Sequence, residues 1–292
     1  MSLSISLTSH SPLQCSVARL CWRAFHSKSG SEKNIGEYPH LLRGISVDPH
    51  KYSAISHQGS RYCNPFSVEK MEEFITLLQL TPEARVLDIG TGKAELLIRL
   101  VERYQVTALG LDFSSPFFQE AREQAAARLP QGKLELQECD ASLCRAAPET
   151  FDLAICLGAS EIYGGFKGTL ERLSQYVRPG GQVFVGDGYW KQEPAPEYLA
   201  AIGASREELM THAENVAAGV TLGLIPLYAL VCSDDEWDRY EWSHLRTMER
   251  YAQQHPDDPD VPALLARRRA WRDISLHWGR DTLGFGLYLF QK

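Results

Sequence analysis

Between residues 85 and 190 short apolar runs alternate with stretches of helical periodicity, and this rhythm constrains the fold more than any other feature of the chain. Val86, Leu87 and Ile89 make the first short strand. Leu97, Leu100, Val101 and Tyr104 then fall at i, i+3, i+4 and i+7, one face of a helix. VTALGLDFS (106–114) reads as a second strand, and Ser114 or Ser115 caps a helix whose face carries Phe118, Ala121, Ala125 and Leu129. KLELQECDAS (133–142) alternates as a third strand does. FDLAICLGAS (151–160) is almost continuously apolar, as a parallel strand covered on both faces should be. TLERLSQYV (169–177) is helical, RPGG (178–181) stops it, and QVFVGDGYW (182–190) is the fifth strand. Strands separated by helices imply right-handed crossovers and a parallel sheet with helices on both faces.

After residue 190 the rhythm breaks. EPAPEYLAAIG and SREELMTHAENVAAG read as two helices, and 191–223 is expected to lie over the open edge of the sheet as a helical lid. LIPLYALVCS (224–233) is a sixth strand. Helix follows from Asp234 to about Gln254 and again over 262–278, with HPDDPDVP between, and FGLYLFQK (285–292) closes the chain as a last strand. Residues 32–80 form a lead-in ending in a helix with Met71, Phe74, Ile75 and Leu78 on one face. The expected architecture is an α/β, doubly wound, mostly parallel seven-stranded sheet. Its cofactor core spans 81–190, and 224–292 completes the sheet.

The totals narrow the function. At 292 residues and 44% hydrophobic, the chain supports one sizeable core. No apolar run approaches the roughly 20 residues of a membrane span. A net charge of −7 argues against a nucleic-acid backbone as the partner. Seven cysteines without tight spacing do not read as a disulfide framework and point to a reducing compartment. Cys139 and Cys144 lack neighbouring ligands, so no metal is expected. Residues 1–31 carry no Asp or Glu, are rich in Ser and contain Arg19, Arg23 and Lys28. They read as a disordered extension or a transit-peptide-like leader. The expected location is cytoplasmic, or mitochondrial or plastid if that leader is a transit peptide.

In an open parallel sheet, ligands bind beyond the carboxyl ends of the strands. The first strand ends in Asp88-Ile89-Gly90-Thr91-Gly92, whose glycines permit a tight turn and close approach of a ligand. The second ends in Asp112-Phe113, where a carboxylate can accept hydrogen bonds from ribose hydroxyls. The third ends in Asp140-Ala141, suited to an adenine amino group, and the fourth in Leu157-Gly158-Ala159-Ser160. A dinucleotide fingerprint wants a third glycine where this chain has Glu95, and a carboxylate there repels a pyrophosphate. Asp88 is equally ill placed for phosphate. Both suit a ligand carrying an ammonium and a sulfonium, which points to S-adenosylmethionine.

Taken together, VLDIGTGKAE, LGLDFS, ECDAS, FDLAICLGAS and VRPGGQVFVGD resemble the successive motifs of the class I S-adenosylmethionine-dependent methyltransferases, strongly over about 80–190 and loosely at the closing strand. Ala94 stands where many members have a third glycine, and alanine still permits close packing. The resemblance implies a Rossmann-like methyltransferase fold. It places Asp88, Gly90, Thr91 and Gly92 by the amino-acid end of the cofactor. It puts Asp112 and Phe113 at the ribose, Asp140 and Ala141 at the adenine, and Leu157 and Gly158 on the pocket wall. YCNPFSVEKM and GDGYWKQEP are similar to a bacterial subgroup of small-molecule methyltransferases.

Methyl transfer needs an aligned nucleophile and a dry site, with a base only if the nucleophile arrives protonated. Glu161 and Tyr163 follow the fourth strand, and Tyr189 leaves the fifth. These three are the acceptor-side candidates. Trp190 offers an aromatic wall or packing, and Asp187 a substrate contact or a structural hydrogen bond. Arg61 and Tyr62 are placed to close over the cofactor carboxylate, Cys63 is a candidate thiol, and His57 is the one histidine considered as a base. RRRAWR (267–272) reads as a solvated face or as ion pairs rather than an RNA contact. Trp237, Tyr240 and His244 read as packing. The expected function is in-line methyl transfer from S-adenosylmethionine to a small molecule, by a monomer or homodimer with no nucleic-acid or membrane partner. An NAD(P)-dependent oxidoreductase on a related fold and a non-catalytic cofactor-binding protein are the alternatives.

Overall fold

The computed structural model describes residues 47–143 and 146–292. The leader over 1–31, the start of the lead-in and Cys144 lie outside the described residues. The seven strands are β1 Arg85–Ile89, β2 Thr107–Asp112, β3 Leu134–Glu138, β4 Phe151–Leu157, β5 Val177–Trp190, β6 Ile225–Val231 and β7 Leu283–Gln291. They form one sheet in the order β3-β2-β1-β4-β5-β7-β6. β7 runs antiparallel to both its neighbours, and the remaining pairs are parallel. Strand order therefore reverses between β1 and β4, where a doubly wound sheet opens its ligand crevice.

The helices are α1 Pro49–Ser56, α2 Val68–Leu77, α3 Glu95–Tyr104, α4 Ser115–Arg128, α5 Phe166–Tyr176, α6 Pro196–Ile202, α7 His212–Thr221, α8 Asp234–Gln254, α9 Val261–Ile274 and the single turn α10 Arg280–Thr282. Two apolar clusters, one per face, bury the sheet. The first joins Phe74 of α2, Leu97 and Val101 of α3, and Tyr198 of α6 to Val86, Ile155 and Phe285. The second joins Leu170 and Leu173 of α5 to Leu87, Val185, Tyr288 and Phe290. The segment over 191–223 supplies α6 to the first cluster, while α7 packs on the second face, where Gly219 lies against Phe290.

Three elements differ from the sequence reading. RPGG ends α5 at Tyr176, yet it is the bulged start of β5 rather than a loop: Val177 pairs with Phe151, and the register shifts before Leu153 meets Gln182. Gly180 takes φ +79°, and a Cβ on Gly181 would lie 2.8 Å from the Asp152 carbonyl, so glycine is what lets the bulge close. β3 stops at Glu138, and Ala141–Leu143 forms a 3₁₀ turn in which Asp140 accepts from the Ser142 N–H at 2.9 Å. Helix α1 was not foreseen: Asp48 caps it, accepting from the His50 N–H at 2.9 Å, and Pro49 starts it.

RRRAWR lies on α9. Arg267 and Arg268 are buried there rather than solvated: Arg267 sits 4.5 Å over the Tyr52 ring, and Arg268 pairs with Glu241. Arg269 and Arg272 pair with Glu249 and Asp273. Trp237 and His244 of α8 are buried.

Candidate active site

The turn after β1 is held by β2. The N–H groups of Gly90 and Thr91 both donate to the Leu111 carbonyl, at 2.8 and 3.1 Å. Gly90 takes φ +72°, and a Cβ there would lie 2.6 Å from that of Ala159, so only glycine lets the turn touch the end of β4. The Asp112 carboxylate accepts from the Gly92 N–H and the Ser114 N–H, both at 2.8 Å, tying the turn to the tip of β2. Ala94, at the N-cap of α3, takes φ +57°. That left-handed conformation favours glycine, so the position is constrained by backbone conformation in addition to the packing argued above.

A cavity opens beside this turn. Asp88, Gly90, Thr91, Gly92, Lys93, Glu95 and Leu96 line one side and Leu157 the end. A strap over residues 57–66 lines the other, through His57, Arg61, Tyr62, Cys63, Asn64 and Phe66. Ser53 of α1 and Phe117 of α4 complete the wall. Five of the ten predicted cofactor residues, Asp88, Gly90, Thr91, Gly92 and Leu157, thus share one cavity.

Asp88 is buried. Burial pushes its carboxyl up to about 7, the Asp112 charge adds to the rise, and a hydrogen bond with Thr91 opposes it. Among the described residues no cation pairs with it. A buried carboxylate of this kind is a natural counter-ion for a cationic ligand. Burial raises Asp112 as well, up to about 6, against the three backbone N–H groups that favour its charge.

Burial keeps three groups of the strap, His57, Tyr62 and Cys63, neutral. Burial lowers His57 to about 4, and its ring nitrogens lie 2.9 Å from the Ser53 carbonyl oxygen and 3.1 Å from the Tyr240 hydroxyl. Burial pushes the Cys63 thiol up to about 12 and raises the Tyr62 phenol. Cys63 is therefore a neutral wall rather than an activated thiolate. Tyr240 also donates to the Cys63 carbonyl at 3.2 Å, which gives the α8 aromatic stripe a bond to the strap.

The other predicted residues lie elsewhere. Asp140 is exposed on a separate cleft with Leu109, Leu111, Gln137, Cys139 and Leu143. Ala141 is buried and its carbonyl accepts from the Tyr163 hydroxyl at 3.2 Å. Phe113 meets His50 edge-on at 5.4 Å. Gly158 takes φ +82° and donates to the Gly186 carbonyl at 2.7 Å. Glu161 and Tyr163 sit on the 3₁₀ turn Ser160–Tyr163. Tyr189 packs over Gly284 and beside His212, and Trp190 donates to the Arg206 carbonyl at 2.9 Å. Asp187 accepts from the Ser160 hydroxyl and from the Gly188 N–H. None of Glu161, Tyr163 and Tyr189 lines the cavity beside Asp88.

Glu95 lines the cavity, but Arg99 and Arg128 each donate to it at 2.6 Å. Its charge is compensated, so repulsion of a pyrophosphate rests on Asp88 instead. Sequence reasoning also missed Lys93, Asn64 and Phe117. Lys93 adjoins the Gly-Thr-Gly turn, yet nothing local shows that its side chain turns inward to the strap.

The comparisons agree with this geometry. The methyltransferase-domain family matches residues 86–181. An uncharacterised Escherichia coli protein, YjhP, is 32% identical over 244 residues, 83% of this chain and 98% of its own. Its crystal structure superposes with a TM-score of 0.76, covering 82% of this chain and 98% of that one. A S-adenosylmethionine-dependent methyltransferase from Geobacter sulfurreducens, solved with S-adenosylhomocysteine, is 28% identical with a TM-score of 0.77, covering 84% of this chain and 98% of that one. One from Thiobacillus denitrificans, in the same complex, is 29% identical with a TM-score of 0.74 over 81% and 96%. The sheet order, the Asp88–Gly92 turn and these matches converge: the chain belongs to the class I S-adenosylmethionine-dependent methyltransferases.

Proposed function

We propose that the chain transfers the methyl group of S-adenosylmethionine, in line, to a nucleophilic atom of a small molecule. The observation that carries this is the strapped cavity in which Asp88 is the buried, cation-free carboxylate. The cofactor, when bound, supplies a methyl group already made electrophilic by its sulfonium. The chain's own work is to bind, orient and keep the site dry, which is worth roughly 7–11 kcal/mol in favourable cases. Asp88 is assigned to the cofactor's cationic end and Arg61, exposed at the cavity mouth, to its carboxylate. Phe66, Leu96, Phe117 and Leu157 form apolar wall. Asp112 with Phe113 is assigned to the ribose, Asp140 with Ala141 to the adenine, and Gly158 to the backbone beside it.

A small acceptor is favoured because the site is a pocket roofed by the strap rather than an open groove that a polymer could cross. Net charge −7 argues the same way against nucleic acid. No described helix is long and apolar enough to cross a membrane, which is compatible with the cytoplasmic location expected from the sequence. Glu161, Tyr163 and Tyr189 are the acceptor-side candidates, Glu161 and Tyr163 on the turn after β4 and Tyr189 at the end of β5. His57 is not assigned as the base, because both ring nitrogens are engaged.

Isothermal titration with S-adenosylmethionine, S-adenosylhomocysteine and NAD tests the cofactor assignment. Binding of the first two without NAD is expected, and NAD alone overturns it. Transfer of labelled methyl groups into fractionated metabolite pools then tests the acceptor class, and label found only in macromolecules refutes a small acceptor.

A further inference from the structure

The strap over residues 57–66 contains no helix or strand, and it forms one wall of the cavity. The opposite wall is the Gly90–Gly92 turn, whose next residue is Lys93. The Lys93 side chain is buried, and its ammonium reaches across to the strap. It donates to the His57 carbonyl at 3.0 Å, to the Ser60 carbonyl at 3.1 Å and to Glu120 of α4, 2.9 Å away. An ammonium has three donors, and all three are used. Further along, Asn64 donates to the Leu157 carbonyl at 3.3 Å and Tyr240 donates to the Cys63 carbonyl. The strap is thus held to the body by the side chains of Lys93 and Tyr240 and by its own Asn64, rather than by backbone pairing.

We infer that Lys93 is a positioning residue that latches the 57–64 strap over the cofactor cavity. Opening the strap strips two carbonyl acceptors from a buried ammonium, which is unfavourable until water replaces them. The residue that follows the cofactor turn is also the one that holds the roof, so entry and release of the cofactor are coupled to this latch. The inference rests on the reading that the cofactor occupies the cavity beside Asp88.

The test compares the full chain with Lys93→Met, which keeps an apolar stem and removes the donors, and with Glu120→Gln, which removes only the half-exposed ionic partner. Affinity and dissociation rate for S-adenosylhomocysteine are read by titration and stopped-flow fluorescence, and strap opening by trypsin cleavage after Arg61. Lys93→Met is expected to weaken binding by about tenfold or more, mainly through faster release, and to speed cleavage after Arg61 by a similar factor, with little change in melting temperature. Glu120→Gln is expected to stay within about threefold of the parent on both readouts. A Lys93→Met protein within about twofold of the parent on both readouts overturns the latch. If the parent itself fails to bind S-adenosylhomocysteine, the cofactor reading falls, while the cleavage comparison still judges the latch. Should Lys93→Met not fold, hydrogen exchange on the parent decides. Amides of 58–63 slowing by about tenfold or more when S-adenosylhomocysteine saturates the protein support the strap's closure, and unchanged exchange overturns it.

Discussion

The carboxylate of Asp112, at the tip of β2, accepts the backbone N–H of Gly92 at 2.8 Å. One acid therefore shapes the Gly90–Gly92 turn on the neighbouring strand, and its second oxygen takes the Ser114 N–H. Asp112→Ala removes both acceptors and strands two buried donors, which costs about 1–3 kcal/mol of stability. Affinity for S-adenosylhomocysteine should fall more than about tenfold, equivalent to ~1.4 kcal/mol. Asp112→Asn keeps one carbonyl acceptor and should lose less. Titration calorimetry on the two variants checks the order, and near-parental binding by the alanine variant counts against the assignment of Asp112 to the ribose.

The assignment of Asp88 to the cofactor's cationic end predicts pH-dependent binding. Burial holds its carboxyl up at about 7, so the ionised form that attracts a cation is scarce in the ligand-free protein below neutrality. Affinity for S-adenosylmethionine should rise with pH through about 7 and then level off, and Asp88→Asn should bind weakly without that slope. The stability consequence has the opposite sense. The folded protein keeps a proton that the unfolded chain releases near its ordinary value of 3.8, so this group's contribution is fully present below that value and is lost as pH rises through about 7. Asp88→Asn should therefore stabilise the ligand-free protein at pH 8, by up to about 4 kcal/mol. Urea melts of both proteins at pH 5 and pH 8 measure it, and an equal gap at the two values refutes it.

The sheet and the turn that lines one side of the cavity were legible because they are written locally. Val86–Ile89, Gly90 and Gly92 announce a strand and a bend by residue type alone, and the alternation of apolar runs with helices sets the doubly wound order. The roof was not legible. Helix α1 has no apolar stripe, and Tyr52 and Ile55 are buried through its packing on Met248 of α8 and Leu264 of α9, some 200 residues away. Lys93 reads as a surface lysine until the His57 and Ser60 carbonyls are brought to it. Of the two arginines that neutralise Glu95, Arg99 stands at i+4 and is visible in the sequence, while Arg128 arrives only through the packing of α4 on α3.

Ala94 offers a stabilising substitution. Its φ of +57° costs an alanine about 1–2 kcal/mol, against roughly 0.5–1 kcal/mol of added unfolded-state entropy for glycine. Ala94→Gly should therefore raise stability by roughly 0.5–1 kcal/mol without altering the Gly90–Gly92 turn. Thermal unfolding with and without S-adenosylhomocysteine is the check. A lowered melting temperature means that burial of the Ala94 methyl group outweighs the cost of its left-handed conformation.

Glu95 tests which acid excludes a dinucleotide. Its carboxylate joins Arg99 and Arg128, which in turn bind Glu72 and Glu102, so five charged side chains share one network along α3. Glu95→Gln leaves each guanidinium with one remaining carboxylate and should cost about 2 kcal/mol, between the values for exposed and buried pairs. It should not admit NAD, because Asp88 still faces the cavity. Asp88→Asn combined with Glu95→Gln removes both acids, and any gain in NAD affinity should appear only in variants lacking Asp88. Titration of NAD into the two single variants and the double variant separates the contributions. Appreciable NAD binding by Glu95→Gln alone returns the discrimination to Glu95, as the sequence argument first had it.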